Sequence, residues 1–276
     1  MGIVNYLAYR EHEHLRVQTN DTMMGLLAGS KIASQTLNLT SGSKLQISEI
    51  FPKVEHIRRF SLKTERAQEI LENAEYMLGI LAVPQVIALQ EDLMVGMLRL
   101  LEEHVPGAGN LTKNAKAADV HERVQDSTGK SFTPESLELF HLVRVARNTH
   151  IHNGGKADAT LINRISNTNP QSYQVWTTIT KATFPDYQLG DKVTLGLAEL
   201  IGILAITKRL AEEANDILQR DLPKNVWADI AVKDWVKTRK PGDTNQLNKQ
   251  LLGLVRRHYG PLGLTEQELQ AAKTRI

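Results

Sequence analysis

The segment TPESLELFHLVRVARNTHIHNGG, residues 133–155, holds the start, body and end of a helix in one continuous run. Thr133 offers an N-cap hydroxyl, Pro134 suits the first helical position, and Glu135 places a carboxylate in the first turn. Leu137, Phe140, Val143 and Ile151 then fall at helical spacing and are expected to face inward. Gly154 stands where a helix commonly ends, because glycine adopts the left-handed conformation that closes the last turn.

Outward from this helix the same period recurs on both sides. Residues 22–38 read as a helix loosened by Gly25 and Gly29, followed by a polar connection, LTSGSK, at 39–44. From Thr64, the residues Ala67, Ile70, Ala74, Met77 and Leu81 recur at three- and four-residue steps, the mark of an amphipathic helix. Pro84 is expected to break or kink it. A second, broadly apolar helix runs over 86–104 and ends in the turn residues VPGAGN. Residues 107–132 lack a period and read as a loop. Between 158 and 194 the runs LINRIS, YQVWTTIT and DKVTL are richer in β-branched and aromatic residues, which points to one or two short strands or a hairpin. Residues 191–219 form the longest helix, with Leu200, Ile203, Thr207, Leu210, Ala214 and Ile217 in alternating steps of three and four. Two or three shorter helices follow around the breaker KPGD, 240–243. The expected fold is mainly α: a helical bundle with a small β-hairpin insertion and a helical C-terminal tail. Its parts are an N-terminal helical extension (1–60), a helical domain (61–220, with the β insertion at about 158–190) and a basic tail (221–276).

The composition agrees. Aromatic residues make up 5% of the 276-residue chain, too few for a sheet-rich core, and cysteine is absent, which excludes disulfides and thiolate metal sites. The net charge is +2, yet residues 221–276 carry ten Lys and Arg against six Asp and Glu, a mild hint of a polyanionic partner or simply a solvated face. The start of the chain has no apolar run of signal-peptide length and fails the myristoylation pattern at position 6. The most apolar stretch, LGLAELIGILAI at 195–206, is short of the roughly 20 residues a membrane helix needs. A cytoplasmic protein without a membrane partner is expected.

The last two turns of the opening segment, RVARNTHIHNGG (144–155), concentrate groups that bind phosphate or move protons. Arg144, Asn148 and His152 step by four and share a face, and Arg147 lies about a quarter turn away. Arginine presents a charged fork to phosphate oxygens, asparagine can orient a water or an imidazole, and histidine titrates near neutrality. An ordinary helix end, its cations complementing the negative end of the dipole, accounts for the same residues. An arginine followed by a histidine after four to six residues occurs at Arg99–His104, Arg144–His150 and Arg147–His152. Only the last combines a polar neighbour, a helix end and flanking glycines.

The run Arg147-Asn148-Thr149-His150-Ile151-His152 resembles the signature of the HEPN superfamily, in which an arginine, often with a polar residue after it, is followed by a histidine after four to six intervening residues. The resemblance covers a core of about residues 64–220 and leaves 1–60 and 221–276 unexplained. It implies a helical bundle that dimerises so that two motifs meet in one composite ribonuclease site, needing neither metal nor other cofactor. On that reading the RNA 2′-OH attacks the adjacent phosphorus, leaving a 2′,3′-cyclic phosphate and a 5′-OH. His152 transfers the proton, Arg147 stabilises the phosphoryl oxygens, and Asn148 positions His152 or the scissile group. Arg144 and His150 are supporting candidates. Toxin–antitoxin or antiviral defence roles, with a regulatory protein partner, are implied by the family alone. Some members carry a tyrosine two residues after the histidine as a target for nucleotide transfer; Gly154 stands there, which argues against that form of regulation. The alternative is a non-catalytic HEPN-like module that binds nucleic acid or protein and dimerises. A two-fold interface is expected along 191–219 or the face bearing Asn148 and His152.

The other histidines and cations have plainer readings. His150 and His152 point about 200° apart on a helix and do not suit a shared metal ion. REHEH, 10–14, reads as a solvated helix start, and His141 as a packing residue that can flank the arginines. In the tail, KDWVKTRK (233–240) and RRHYG (256–260) alternate cations with Trp or Tyr. Lys237, Arg239, Lys240, Arg256 and Arg257 are therefore candidates for gripping RNA by charge and stacking, although an amphipathic helix surface explains them equally.

Overall fold

The structure, a computed structural model, describes residues 2–40, 42, 45–105, 109–152 and 154–276, with Phe60 described by its backbone alone. Among these, the chain forms α1 (Leu7–Asn38), α2 (Ile47–Ile50), α3 (Thr64–Glu72), α4 (Ala74–His104), α5 (Val120–Thr128), α6 (Pro134–His152), α7 (Ala159–Asn167), α8 (Pro170–Thr180), α9 (Leu197–Asp221), α10 (Lys224–Thr238), α11 (Thr244–His258) and α12 (Glu266–Arg275). No strand occurs among the described residues. Two isolated antiparallel bridges join Gln46 to Lys63 and Lys156 to Lys192. The fold is mainly α.

The expected β-hairpin is absent, and α7 and α8 occupy its place. Their start signals outweigh the β-prone composition of 158–180. The Asp158 carboxylate accepts from the Leu161 N–H at 2.9 Å, and Asn169 accepts from the Gln171 N–H at 2.9 Å just before Pro170. What remains of strand character is a short pairing: the Ala157 N–H donates to the Asp191 carbonyl and the Val193 N–H to the Gly155 carbonyl, each at 2.8 Å.

Other expectations are also corrected. The segment 107–132 is not all loop. α5 forms within it because Val120 and Val124 are fully buried, and Gly129 closes it at φ +64°. Pro84 does not divide α4. Its missing N–H costs roughly 3 kcal/mol, offset by a setting in which Ala82, Val83, Val86 and Ile87 are essentially buried. The undivided α4 is one helix long and apolar enough to cross a membrane by length and composition. Its best 18-residue window has a mean hydropathy of 1.5, and half of that window is buried in the protein. The apolar row of the Thr64 region faces solvent in part: Ala67 is buried, but Ile70, Met77 and Leu81 are exposed. The polar connection at 39–44 and the turn VPGAGN fall partly outside the described residues.

The chain divides into two compact units, each gathered from separated segments. The first takes the chain up to Arg16, then Val86–His141 and Ala205–Ile276. Met94, Leu98, Phe132, Phe140, Leu210 and Trp227 are buried in its core, and Tyr6 meets the Trp227 ring edge-on at 5.7 Å. The start of the chain is fastened to distant residues. Asn215 accepts from the Val4 N–H at 3.0 Å and donates to the Val4 carbonyl at 2.8 Å, and the Asn5 N–H donates to the His258 carbonyl at 2.8 Å. α12 lies along α10, with Arg275 bonded to Asp229 at 3.0 Å and the Lys273 ammonium 5.2 Å from the Trp235 ring centre.

The second unit takes Val17–Gln85 and Leu142–Leu204. Its helices approach so closely that two glycines are required. A Cβ on Gly79 would lie 2.1 Å from the Leu195 carbonyl oxygen, and one on Gly202 would lie 2.3 Å from the Trp176 ring. Trp176 is fully buried and meets Phe184 edge-on at 5.1 Å. In α9, Leu200 and Ile203 of this unit are buried, as are Thr207, Leu210, Ala214 and Ile217, which belong to the first unit, so all six residues of the expected apolar row are buried.

Candidate functional site

α6 starts where Thr133-Pro134-Glu135 places it. The Thr133 hydroxyl and N–H both donate to the Glu213 carboxylate, at 2.6 and 2.8 Å, so the cap is held by another helix. Leu142, Val143, Ala146 and Thr149 form its buried face in the second unit. Relative to the centre of that face, Arg144, Asn148 and His152 lie about 110–170° away on the helical wheel. Arg144, Arg147 and Asn148 are half-buried, and His152 is exposed in the final turn. Ile151, expected inward, is 49% exposed because its position falls opposite the buried face. Asn153 lies outside the described residues, and Gly154 and Gly155 follow at φ +63° and +74°.

The two histidines of the segment have different roles. The His150 Nδ1 lies 3.2 Å from the Val193 carbonyl oxygen, which only accepts, so Nδ1 carries the proton. Its ring stands edge-on to Tyr76 at 6.3 Å, and the Lys192 ammonium covers that tyrosine at 5.2 Å. His150 therefore anchors the helix end to the segment 187–195. His152 is left as the histidine of the pair that solvent and ligands can reach.

The two central residues of the motif diverge within one chain. Arg147 and His152 are five positions apart, about 140° around the axis and about 7.5 Å along it. Arg144 and Arg147 also take part in further interactions within the chain, and the Arg147 Nε is buried.

The tail cations Lys237, Arg239, Lys240, Arg256 and Arg257 are all exposed and belong to the first unit, whereas Arg147 and His152 belong to the second. The aromatic residues between these cations are not available for stacking. Trp235 is 5% exposed and Tyr259 fully buried, and the Arg239 guanidinium already lies 5.1 Å over the Trp235 ring. His141 is 7% exposed, with Nε2 3.2 Å from the Glu122 carboxylate.

REHEH departs furthest from the sequence reading. Arg10 forks both guanidinium nitrogens onto Asp234 at 2.9 Å, Tyr259 donates to the same carboxylate at 2.8 Å, and His12 is buried. The partners lie over 200 residues away, so no local pattern reveals them. Comparison of the chain with protein-family models, curated proteins and solved structures finds no match.

Proposed function

We propose that the chain is a metal-independent endoribonuclease of HEPN type, acting as a homodimer whose two α6 ends form a composite site. The observation that carries this reading is the geometry of α6: one unbroken helix bears Arg147, Asn148 and an exposed His152 in its last two turns. Because Arg147 and His152 diverge, one motif cannot close both groups around a single phosphate, and a second copy supplies the opposing set. His152 of one protomer takes the 2′-OH proton as the oxygen attacks phosphorus, and a protonated His152 from the other returns a proton to the departing 5′-oxygen. Arg147 stabilises the negative charge on the phosphoryl oxygens, and Asn148 positions the imidazole or the scissile group.

The surface for pairing is the exposed row of Ile70, Met77 and Leu81 with Leu26. Tyr76, next to Met77, packs on His150, so this row adjoins the motif. The row on α9 is spent inside the chain. A role in toxin–antitoxin or antiviral defence, with a regulatory partner, belongs to the same proposal.

The half-burial of Arg147 favours a second reading, a non-catalytic module that binds RNA or protein and dimerises. The test is cleavage of tRNA and a labelled single-stranded RNA in EDTA by wild type, His152→Ala and Arg147→Ala. Cutting by wild type alone, with cyclic-phosphate ends and a loss of at least about 100-fold in each variant, supports the enzyme. Equal cleavage of an all-deoxy substrate overturns it, and RNA binding without turnover supports the module.

A further inference from the structure

The chain just beyond α6 is tied down by the short antiparallel pairing of residues 155–157 with 191–193. Its two bonds, from Ala157 to Asp191 and from Val193 to Gly155, flank Lys156 and Lys192 without joining them. The two lysines are therefore a non-hydrogen-bonded pair, with Cα atoms about 4.5 Å apart and side chains on the same side. Ala157 and Val193 turn inward and are buried, so Lys156 and Lys192 turn outward and are exposed.

Like charges directly opposite in such a pair repel. Neither ammonium has a carboxylate within ion-pair distance among the described residues. The aspartates close to them in sequence bond the backbone instead: Asp158 accepts from the Leu161 N–H at 2.9 Å and Asp191 from the Gln188 N–H at 2.8 Å. The Lys192 ammonium lies 5.2 Å from the centre of the Tyr76 ring, which stands edge-on to His150. Lys192 is thus held beside the end of α6. Lys156 follows His152 by four residues, which limits their Cα separation to about 14 Å.

We propose that Lys156 and Lys192 form a clamp for a backbone phosphate of RNA bound at the end of α6. A phosphodiester between the two ammonium groups replaces their repulsion with two attractions, and it does so close to His152. Such contacts fix the course of the strand without reading its bases. The assignment rests on the reading of α6 as an RNA site. The clamp positions the strand and takes no part in proton transfer.

The probe is a fluorescent 2′-O-methyl RNA, which cannot be cut by 2′-OH attack, bound to the full chain in EDTA and followed by anisotropy. Each contact to a single-strand phosphate contributes about 0.7 to the fall of log K with log salt, so Lys156→Gln with Lys192→Gln should lower that slope by about 1.4. Between about 50 and 200 mM salt, the wild type should then lose about sevenfold more affinity than the variant. Lys113→Gln with Lys116→Gln, a charge-matched change in the first unit, should leave the slope as it is. Four results would each overturn the proposal: no saturable RNA binding by wild type, an unchanged slope in the Lys156 and Lys192 variant, an equal change in the Lys113 and Lys116 variant, or displacement of RNA by inorganic phosphate or polyglutamate as readily as by unlabelled RNA. Cleavage of ordinary RNA, read in parallel, separates the clamp from the nuclease. Cleavage with an unchanged slope removes the clamp alone, and a lowered slope without cleavage keeps the clamp as part of a binding module.

Discussion

At the level of single residues, the Arg10–Asp234 pair shows why a charged run such as REHEH misleads. Charge density near a chain end ordinarily marks a solvated face, but here a carboxylate with 0% side-chain exposure waits for Arg10. The pair also predicts an asymmetry. Removing Arg10, as in Arg10→Met, leaves a fully buried carboxylate with only the Tyr259 hydroxyl, and should cost about 3–5 kcal/mol in denaturant unfolding. Asp234→Asn leaves the Arg10 side chain, 23% exposed, with access to water, and should cost less. The double variant should be more stable than Arg10→Met alone. A larger loss in Asp234→Asn than in Arg10→Met would contradict this account.

At the level of elements, the legible parts were those whose signals are local. Thr133-Pro134-Glu135 marked the start of α6, and the three-four steps of α9 identified six residues that are all buried. The β-hairpin does not form, although Ile, Val, Thr and Trp at 158–180 favour strands by composition. Asp158 and Asn169-Pro170 cap two helices there, and those local start signals prevail. Of the candidate site, the spacing of Arg147, Asn148 and His152 was legible. The anchoring of His150 by Val193 was not, since it joins residues 43 apart. Glycines separate in the same way by context. Gly253→Ala in α11, where a Cβ would meet nothing within 4 Å, should stabilise by about 0.5–1 kcal/mol. Gly202→Ala in α9 should destabilise by about 1–3 kcal/mol, because the Trp176 ring has no room for the methyl group. Paired thermal melts against wild type decide both, and a gain in stability for Gly202→Ala would refute the close packing.

At the level of the whole molecule, the proposed chemistry requires two copies, and the exposed row offers a way to separate assembly from catalysis. Met77→Glu with Leu81→Glu places two charges on an exposed apolar surface and leaves the residues of α6 unchanged. In analytical ultracentrifugation the wild type should sediment as a dimer and the double variant as a monomer, and the monomer should lose RNA cleavage together with the dimer. A wild type that is monomeric at micromolar concentration would remove the basis for a composite site. Mixing wild type with inactive His152→Ala should lower activity by more than dilution, because a heterodimer retains one His152 and the reaction draws on two.

The fastening of Val4, Asn5 and Arg10 to residues 215, 258 and 234 also bears on how the protein is made. At about 5–20 residues per second, a ribosome adds Asp234 roughly 11–45 s after Arg10. Throughout that interval the nascent chain carries a guanidinium and two backbone segments whose native partners do not yet exist. The first unit therefore closes late in translation, and an mRNA truncated before the codon for Asn215 would yield a product in which Val4, Asn5 and Arg10 lack their native partners and which is exposed to chaperones and proteases.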